Sequence, residues 1–228
     1  MKVKVIIFDL DDTLYGELDY VRSGLSCIAL DLEQVLDVSS NQLYQDLLLS
    51  LAENRSEIFD RVLKKYDVWN EELIQQCVSR YREHIPNIKL STDVLQLIEK
   101  LAKEFSLYVV TDGHAGVQNM KLKTLGLSDN PAIKHCYATY ALGDDYGKPS
   151  PKCFQMICEN EQCNPEDIVY IGDNPDKDFL GIRPLGFRTI RLMQGQHSHK
   201  IVPPESDAEI KALDLFSACE NLSVQLPD

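Results

Sequence analysis

Short apolar runs that alternate with helical patterns constrain the fold of this chain most strongly. The runs are rich in β-branched and aromatic residues, as buried strands are. They are VKVIIF (3–8), LYVV (107–110), CYATYAL (136–142), DIVYIG (167–172) and RTIRLM (188–193). Helical patterns precede the second, third and fourth of these runs, at residues 91–105, 117–127 and 150–161. This alternation predicts an α/β fold with right-handed βαβ units and a doubly wound, Rossmann-like parallel sheet.

Residues 16–88 interrupt the alternation, because they show only helical periodicity. One apolar stripe in this stretch has the three-to-four-residue spacing of a helix face and comprises Val21, Leu25, Ile28, Leu32 and Val35. We therefore expect an all-helical domain, residues 16–88, inserted after the first strand of a core formed by residues 1–15 and 89–228. The segment after Gln194 is predicted to form a loop and a terminal helix over residues 210–222.

The charge balance excludes some classes of partner. Lys and Arg number 23 against 36 Asp and Glu, which gives a net charge of -13 and a pI near 4.8. Nucleic acids and anionic membranes need a basic surface, so we expect neither as a partner. A small anionic molecule could still bind where positive charge is concentrated.

The seven cysteines form an odd set without a CxxC pair or a zinc-type Cys/His spacing. They are typical of reduced cytosolic thiols packed as small apolar groups. The N-terminus becomes acidic before a signal-peptide apolar region is complete, and no apolar run approaches the roughly 20 residues of a membrane span. The expected compartment is the cytoplasm, whereas the oligomeric state cannot be predicted.

Polar residues cluster at or after the predicted strands in four segments. These segments are DLDDT (9–13), VVTDG (109–113), YGKPSPK (146–152) and IGDNPDKD (171–178). Each segment alone is typical of a turn or a helix cap. Because the ligands of doubly wound sheets bind at the carboxyl ends of the strands, the four segments together favour a common site.

The residue types of this cluster suit phosphate chemistry. Asp9, Asp173 and Asp178 supply the hard oxygen ligands that Mg²⁺ prefers, and the metal would offset their mutual repulsion. Lys148, the Thr111 hydroxyl and the backbone N–H groups after it could bind a phosphate. An aspartate beside the metal can attack phosphorus, and a second carboxylate two residues later can act as acid and then as base.

The four segments, in this order, resemble the four signature motifs of the haloacid dehalogenase-like superfamily, and the helical stretch resembles the small cap domain that this family inserts after its first motif. The resemblance covers the whole chain. It implies that Asp9 is the nucleophile and a metal ligand, and that Asp11 is the general acid/base and a metal ligand through its backbone carbonyl.

The remaining site residues follow from the same resemblance. Thr111 would orient the phosphate with its hydroxyl, and Asp112 would contribute its backbone N–H. Lys148 would neutralise the nucleophile and the phosphoryl group. Asp173 would bind the metal, and Asp178 would act on it directly or through water.

Asp11 decides the reaction class that the resemblance implies. Phosphatases and phosphomutases of the family carry an acid at this position, whereas its dehalogenases do not. We expect a Mg²⁺-dependent phosphomonoester hydrolase that acts on a small phosphorylated metabolite through an aspartyl-phosphate. A sugar-phosphate mutase is the alternative, and a non-catalytic scaffold or a receiver domain is favoured less. Asp12 is expected to point to the opposite side by strand alternation and to cap a turn.

Substrate choice in this family depends largely on the cap, and the sequence leaves it open. A nucleotide, a sugar phosphate and a phosphorylated nine-carbon sugar acid all remain candidates, with the resemblance favouring the first two. The basic residues of the cap that could meet a second anionic group are Arg22, Arg55, Arg61, Lys64, Lys65, Arg80, Arg82 and His84. On amphipathic helices such residues usually form the solvated face. Tyr15 and Gly16 lie where the family forms a flap, and His197 and His199 are expected at the surface.

Overall fold

The computed structural model describes residues 3–224, which divide into two compact units. The first unit consists of the residues up to Glu17 together with those from Lys89 onward, and the second is Leu18–Ile88. In the described part of the chain, no helix is both long and apolar enough to cross a membrane.

The first unit contains a six-stranded sheet in which every neighbouring pair of strands is parallel. The strands are β1 (Val5–Phe8), β2 (Ser106–Thr111), β3 (His135–Ala138), β4 (Ile168–Gly172), β5 (Arg188–Leu192) and β6 (Ile210–Ala212). Their order across the sheet is β3-β2-β1-β4-β5-β6. Because β1 pairs in parallel with both β2 and β4, the segments that follow these three strands lie side by side at the carboxyl ends of the strands. The predicted α/β fold with a doubly wound parallel sheet is confirmed.

The helices of the described residues belong to both units. Those of the first unit are α5 (Thr92–Leu101), α6 (Ala115–Thr124), α7 (Thr139–Leu142), α8 (Lys152–Glu161) and α9 (Leu215–Val224). Those of the second unit are α1 (Glu17–Glu33), whose first residue still belongs to the first unit, α2 (Ser40–Glu53), α3 (Ile58–Lys65) and α4 (Glu71–Glu83). The inserted stretch contains helices and no strand among its residues, which lie wholly within the described part of the chain.

Burial explains why β1 forms a central strand. All four of its residues are completely buried, as expected for a parallel strand covered on both faces. Val5 and Ile7 pack in one core cluster with Phe154 and Ile157 of α8. Burying one such side chain stabilises the fold by roughly 1.5–3 kcal/mol. This packing fixes the position at which the strand ends and the acidic segment begins.

Two predicted elements differ from the structure. The run 136–142 was expected to be one strand, but β3 ends at Ala138 and the chain continues as α7. The Thr139 hydroxyl donates to the carboxylate of Asp112 at 2.6 Å, and this contact accompanies the departure of the chain from the sheet. The tail was expected to hold only a loop and a helix, but it adds the edge strand β6 before α9. With three residues, β6 is too short to show a periodicity.

The inserted unit has an apolar core of its own, in which residues of all four helices pack together. Its buried members are Val21, Leu25, Ile28, Ala29, Leu32, Leu43, Leu47, Val62, Leu63 and Cys77. Gly24 permits a close approach between α1 and the end of α4, because a Cβ at this position would lie 2.4 Å from the Tyr81 ring. Ser39 and Asn70 cap α2 and α4 by accepting hydrogen bonds from backbone N–H groups.

Candidate active site

Asp9 follows the last residue of β1, and its backbone N–H still donates to Ile171 of β4 at 2.8 Å. The main chain is therefore held by the sheet up to the residue that carries the side chain. The Asp9 carboxylate is buried and accepts a hydrogen bond from Lys148 Nζ at 2.6 Å. Burial raises the pKa of Asp9 to about 6, although the nearby Lys148 charge acts in the opposite direction.

Lys148 is buried and donates three hydrogen bonds, as many as an ammonium group has protons. Its acceptors are Asp9 Oδ1 at 2.6 Å, Asp178 Oδ1 at 2.8 Å and the Tyr170 hydroxyl at 2.9 Å. Burial alone would lower the pKa of Lys148, but the charges of Asp178 and Asp9 raise it well above its ordinary value. The residue is therefore a fixed positive charge beside the predicted nucleophile.

Three buried carboxylates lie together at the carboxyl ends of the central strands. Asp9, Asp173 and Asp178 each offer an oxygen within 4.8 Å of the others. Burial, together with the charges of Asp9 and Asp178, raises the pKa of Asp173 to about 9. Lys148 and Lys177 outweigh the effect of burial on Asp178 and lower its pKa. The cluster thus combines three carboxyl groups with the ammonium group of Lys148, and its all-oxygen donor set fits a hard cation such as Mg²⁺.

Asp178 is held on both of its carboxylate oxygens. Oδ1 accepts from Lys148 and from the Tyr170 hydroxyl at 3.0 Å, and Oδ2 accepts from the backbone N–H of Asn174 at 2.8 Å. Gly172 permits this arrangement, because a Cβ there would lie 2.6 Å from Asp178 Oδ2. The contacts of the Tyr170 hydroxyl with Lys148 and Asp178 were not predicted, because a tyrosine within an apolar strand is typical of a core residue.

Thr111 and Asp112 bring the end of β2 to the same place. Thr111 is buried at the end of the strand. The Asp112 carboxylate accepts from the Thr139 hydroxyl at 2.6 Å and from the backbone N–H of Lys148 at 3.2 Å. Asp112 therefore joins three segments that are remote in sequence. The resemblance gave a role only to its backbone N–H, and its side chain has this additional one.

Asp11 is engaged by three side chains. Lys121 Nζ lies 2.7 Å and 2.9 Å from its two oxygens, the Tyr15 hydroxyl donates to Oδ1 at 2.5 Å, and Gln118 Nε2 donates to Oδ2 at 3.2 Å. Lys121 and Gln118 were not predicted as site residues. The available signal was their three-residue spacing, which places two polar side chains on the same buried face of α6 as Val117.

Asp12 is not among the three clustered carboxylates and caps a turn, as predicted. Its carboxylate accepts from the backbone N–H groups of Glu17 at 2.9 Å and Gln196 at 3.1 Å. The reason given for its orientation is wrong, however. Strand β1 ends at Phe8, and Asp12 has a left-handed φ of 53°, so a turn and not strand alternation separates it from its neighbours.

Several basic residues of the inserted unit have partners within that unit. The Arg61 guanidinium donates to the backbone carbonyls of Ser50, Asn54 and Ser56. Arg80 donates to the Asp31 carboxylate at 2.7 Å. Both arginines therefore make contacts within the inserted unit itself.

Comparison with known proteins places these residues in a family context. Residues 6–192 match the sequence profile of the haloacid dehalogenase-like hydrolase family. A glyceraldehyde 3-phosphate phosphatase of Methanopyrus kandleri is 28% identical, with 97% of each chain covered. The protein of the same name from Methanocaldococcus jannaschii is 27% identical, with 96% of this chain and 98% of that protein covered. Human N-acylneuraminate-9-phosphatase is 23% identical over 79% of this chain and 78% of its own length.

Solved structures share the fold. The hydrolase YfnB of Bacillus subtilis, whose crystal structure is bound to magnesium, aligns with a TM-score of 0.68 and 23% identity and covers 97% of this chain and 99% of its own. A phosphatase from Thermococcus onnurineus aligns with a TM-score of 0.60 and 20% identity over 96% and 98% of the two chains. Together with the profile match over most of the chain, these findings confirm the family that the four motifs indicated. The chain belongs to the haloacid dehalogenase-like hydrolase family and is an enzyme of its phosphatase branch.

Proposed function

We propose that this chain is a Mg²⁺-dependent phosphomonoester hydrolase that acts on a small sugar phosphate through an aspartyl-phosphate at Asp9. The observation that carries the proposal is the buried Asp9 carboxylate, which lies 2.6 Å from Lys148 Nζ and within 4.8 Å of ligand oxygens of Asp173 and Asp178. A carboxylate with a fixed cation on one side and further oxygen ligands on the other suits nucleophilic attack on a phosphate dianion.

The donor set supports a metal position beside Asp9. Asp9 and Asp173 would hold Mg²⁺ with the backbone carbonyl of Asp11, and Asp178 would act on it directly or through water. When bound, the cation supplies positive charge that offsets the carboxylates and the phosphoryl oxygens. The raised pKa of Asp173 supports this assignment, because after burial its largest causes are the charges of Asp9 and Asp178, which a bound cation would offset.

The remaining groups divide the work of the two chemical steps. An Asp9 oxygen attacks phosphorus, the bond from phosphorus to the ester oxygen breaks, and Asp11 gives its proton to that leaving oxygen. Water then attacks the aspartyl-phosphate and transfers a proton to Asp11, so that Asp9 is regenerated and inorganic phosphate leaves. Thr111, the backbone N–H of Asp112 and Lys148 would bind the phosphoryl oxygens during both steps.

The substrate class rests on the relatives. Five of the curated proteins that match are named glyceraldehyde 3-phosphate phosphatases, and they cover 85% or more of this chain. We therefore place three-carbon sugar phosphates first, ahead of nucleotides and nine-carbon sugar acids. By the family resemblance we also assign residues 16–88 the role of a cap domain. All seven cysteines are free thiols, which accords with activity in the cytoplasm.

A phosphate-release assay tests the proposal. The wild-type protein is given glyceraldehyde 3-phosphate, other sugar phosphates, nucleoside monophosphates and N-acylneuraminate 9-phosphate, each with Mg²⁺ or with EDTA. We expect release with Mg²⁺, loss of release with EDTA, and the highest kcat/KM for a sugar phosphate. Absence of release from every compound would overturn the proposal. A phosphorylated isomer in place of free phosphate would assign the chain to the alternative class, the sugar-phosphate mutases.

A further inference from the structure

The contacts of Asp11 exceed what a turn residue needs. Both of its oxygens are engaged by Lys121, at 2.7 Å and 2.9 Å, and each has a second donor, the Tyr15 hydroxyl at Oδ1 and Gln118 Nε2 at Oδ2. An ionised carboxylate offers about four acceptor positions, so Asp11 must give up one of these contacts when it carries a proton. The three side chains therefore fix both the position and the rotation of this carboxylate.

Lys121 is placed at an unusual position for a lysine. Its side chain is 3% exposed, whereas the Asp11 side chain is 21% exposed. Taking an ammonium group out of water costs free energy, and an ion pair of this kind is weak evidence for a stabilising role. A packed apolar residue would serve the core of α6 at least as well. The presence of a charge at this position is better explained by its contact with Asp11.

Gln118 connects the same carboxylate to the end of β2. Its Nε2 donates to Asp11 Oδ2 and also to the backbone carbonyl of Asp112 at 2.9 Å. A Cβ at Gly113 would lie 2.6 Å from this Nε2, so the glycine leaves room for the amide. The orientation of Asp11 is thus tied to the strand end that carries the proposed phosphate-binding residues Thr111 and Asp112.

We infer that Lys121, Gln118 and Tyr15 are positioning residues that hold the Asp11 carboxylate in the orientation needed for proton transfer to the leaving group and from water. This inference rests on the proposed function. Proton transfer requires the donor and acceptor atoms to lie about 2.6–3.2 Å apart, and a misplacement of about 1 Å can cost about 100-fold in rate. An aspartate without these partners can rotate about both side-chain dihedrals.

The proton balance gives the inference a distinctive consequence. In the first step Asp11 loses its proton to the ester oxygen, and in the second it takes one from water. A leaving group that departs as a stable anion, such as 2,4-dinitrophenolate, needs no proton in the first step, whereas an alkoxide does. Loss of positioning should therefore slow the first step for alkyl esters and spare it for the activated aryl ester.

The experiment compares Lys121→Met with Lys123→Met, which removes an exposed lysine of the same helix. With glyceraldehyde 3-phosphate as substrate, we expect K121M to lower kcat by about 10- to 100-fold with little change in KM, and K123M to match the wild type. With 2,4-dinitrophenyl phosphate, K121M should keep a wild-type first turnover, seen as a burst of dinitrophenolate, and then release phosphate slowly.

A double-mutant cycle separates positioning from a general structural effect. If Lys121 acts through Asp11, K121M should cause no further loss of kcat in an Asp11→Asn background. Additive losses, equal losses of the first-turnover rate for the two leaving groups, or a raised KM with unchanged kcat would each overturn the inference. Tyr15→Phe removes only the hydroxyl and should give the same pattern more weakly, which keeps the test decisive if K121M does not fold. A wild-type protein that releases no phosphate would instead refute the proposed function.

Discussion

At the scale of single residues, the site is a problem of charge. Asp9, Asp173 and Asp178 are buried close together, and Lys148 is the cation that contacts two of them. Two like charges about 4 Å apart repel by roughly 4 kcal/mol at an effective dielectric constant of 20. Burial raises the pKa values of Asp9 and Asp173, and the charge of Asp178 adds to the increase at both residues.

The raised pKa of Asp173 predicts how stability depends on pH in the absence of metal. The pKa rises from 3.8 to about 9, so between these pH values the folded protein keeps a proton that the unfolded chain releases. The free energy of unfolding must then fall as pH rises from about 4 to about 9. Mg²⁺ should restore it at the upper end of this range. Thermal unfolding followed over this range, with EDTA or with Mg²⁺, measures both effects.

Asp173→Asn supplies the control for this prediction. Without metal the variant should show a flatter pH profile and a higher Tm than the wild type at pH 8, since asparagine has no proton to release when the chain unfolds. It should also lose most of the Mg²⁺-dependent gain in Tm. Superimposable pH profiles for the two proteins, or an equal gain in Tm, would contradict the account.

Lys148 is predicted to matter for stability as well as activity. Lys148→Met leaves Asp9 and Asp178 buried without their common donor, and removal of one partner from a buried ion pair costs about 3–5 kcal/mol. Lys152→Met is the matched control, because its side chain is 48% exposed and pairs with the exposed Asp145. Denaturant unfolding in EDTA measures the free energies. The account fails here if K148M unfolds at the same denaturant concentration as K152M.

At the scale of elements, the loop after β5 is fastened to the acidic segment through Asp12. The carboxylate of Asp12 accepts from the backbone N–H of Gln196, and Gln194 Nε2 donates to the Asp12 carbonyl at 2.9 Å. Gly195 lies between these two residues with a φ of +67°. A Cβ there would lie 2.4 Å from the Asp12 carboxylate, so both the backbone and the contact require glycine.

Substitution of Gly195 should therefore cost more than its backbone conformation alone explains. Gly126, at the end of α6, has a nearly identical φ of +69° but open space around the missing Cβ. Gly126→Ala should lose about 1–2 kcal/mol from the left-handed backbone, and Gly195→Ala about 1–3 kcal/mol more from the clash. Denaturant unfolding compares the two. Equal losses would show that Asp12 moves aside without cost.

The helices and strands also show how much of the fold can be predicted from the sequence. The apolar runs predicted β1, β2, β4 and β5, since burial on both faces demands continuous β-branched segments. The same rule failed for residues 136–142, because the side-chain contact of Thr139 with Asp112 is made between segments remote in sequence. The contact of Lys121 with Asp11 was not predicted for a related reason. A lysine within a helical pattern is ordinarily solvated, and only the tertiary structure brings it to Asp11.

At the scale of the whole molecule, the sheet order explains how dispersed motifs form one site. Asp9 follows β1, Thr111 ends β2 and Asp173 follows β4, and these three strands are neighbours. Lys148 comes from the segment before α8 and contacts Asp9. The helical unit Leu18–Ile88 interrupts the chain after the first of these segments and has a separate core. The residues proposed for chemistry therefore all belong to the α/β unit. They follow one another along the chain in the order of the four motifs.

The central claim is that Asp9, among the clustered carboxylates of its segment, carries the chemistry. The direct measurement is Mg²⁺-dependent phosphate release from glyceraldehyde 3-phosphate and from an aryl phosphate by Asp9→Asn and Asp12→Asn, each checked for an unchanged fold by circular dichroism. Asparagine tolerates the left-handed φ at position 12 and keeps one acceptor oxygen, so it retains one of the two contacts with the backbone N–H groups of Glu17 and Gln196. The account predicts that D9N loses phosphate release with both substrates, whereas D12N keeps it within about twofold, as a conservative change outside the reacting groups should. Phosphate release by a folded D9N protein would contradict it.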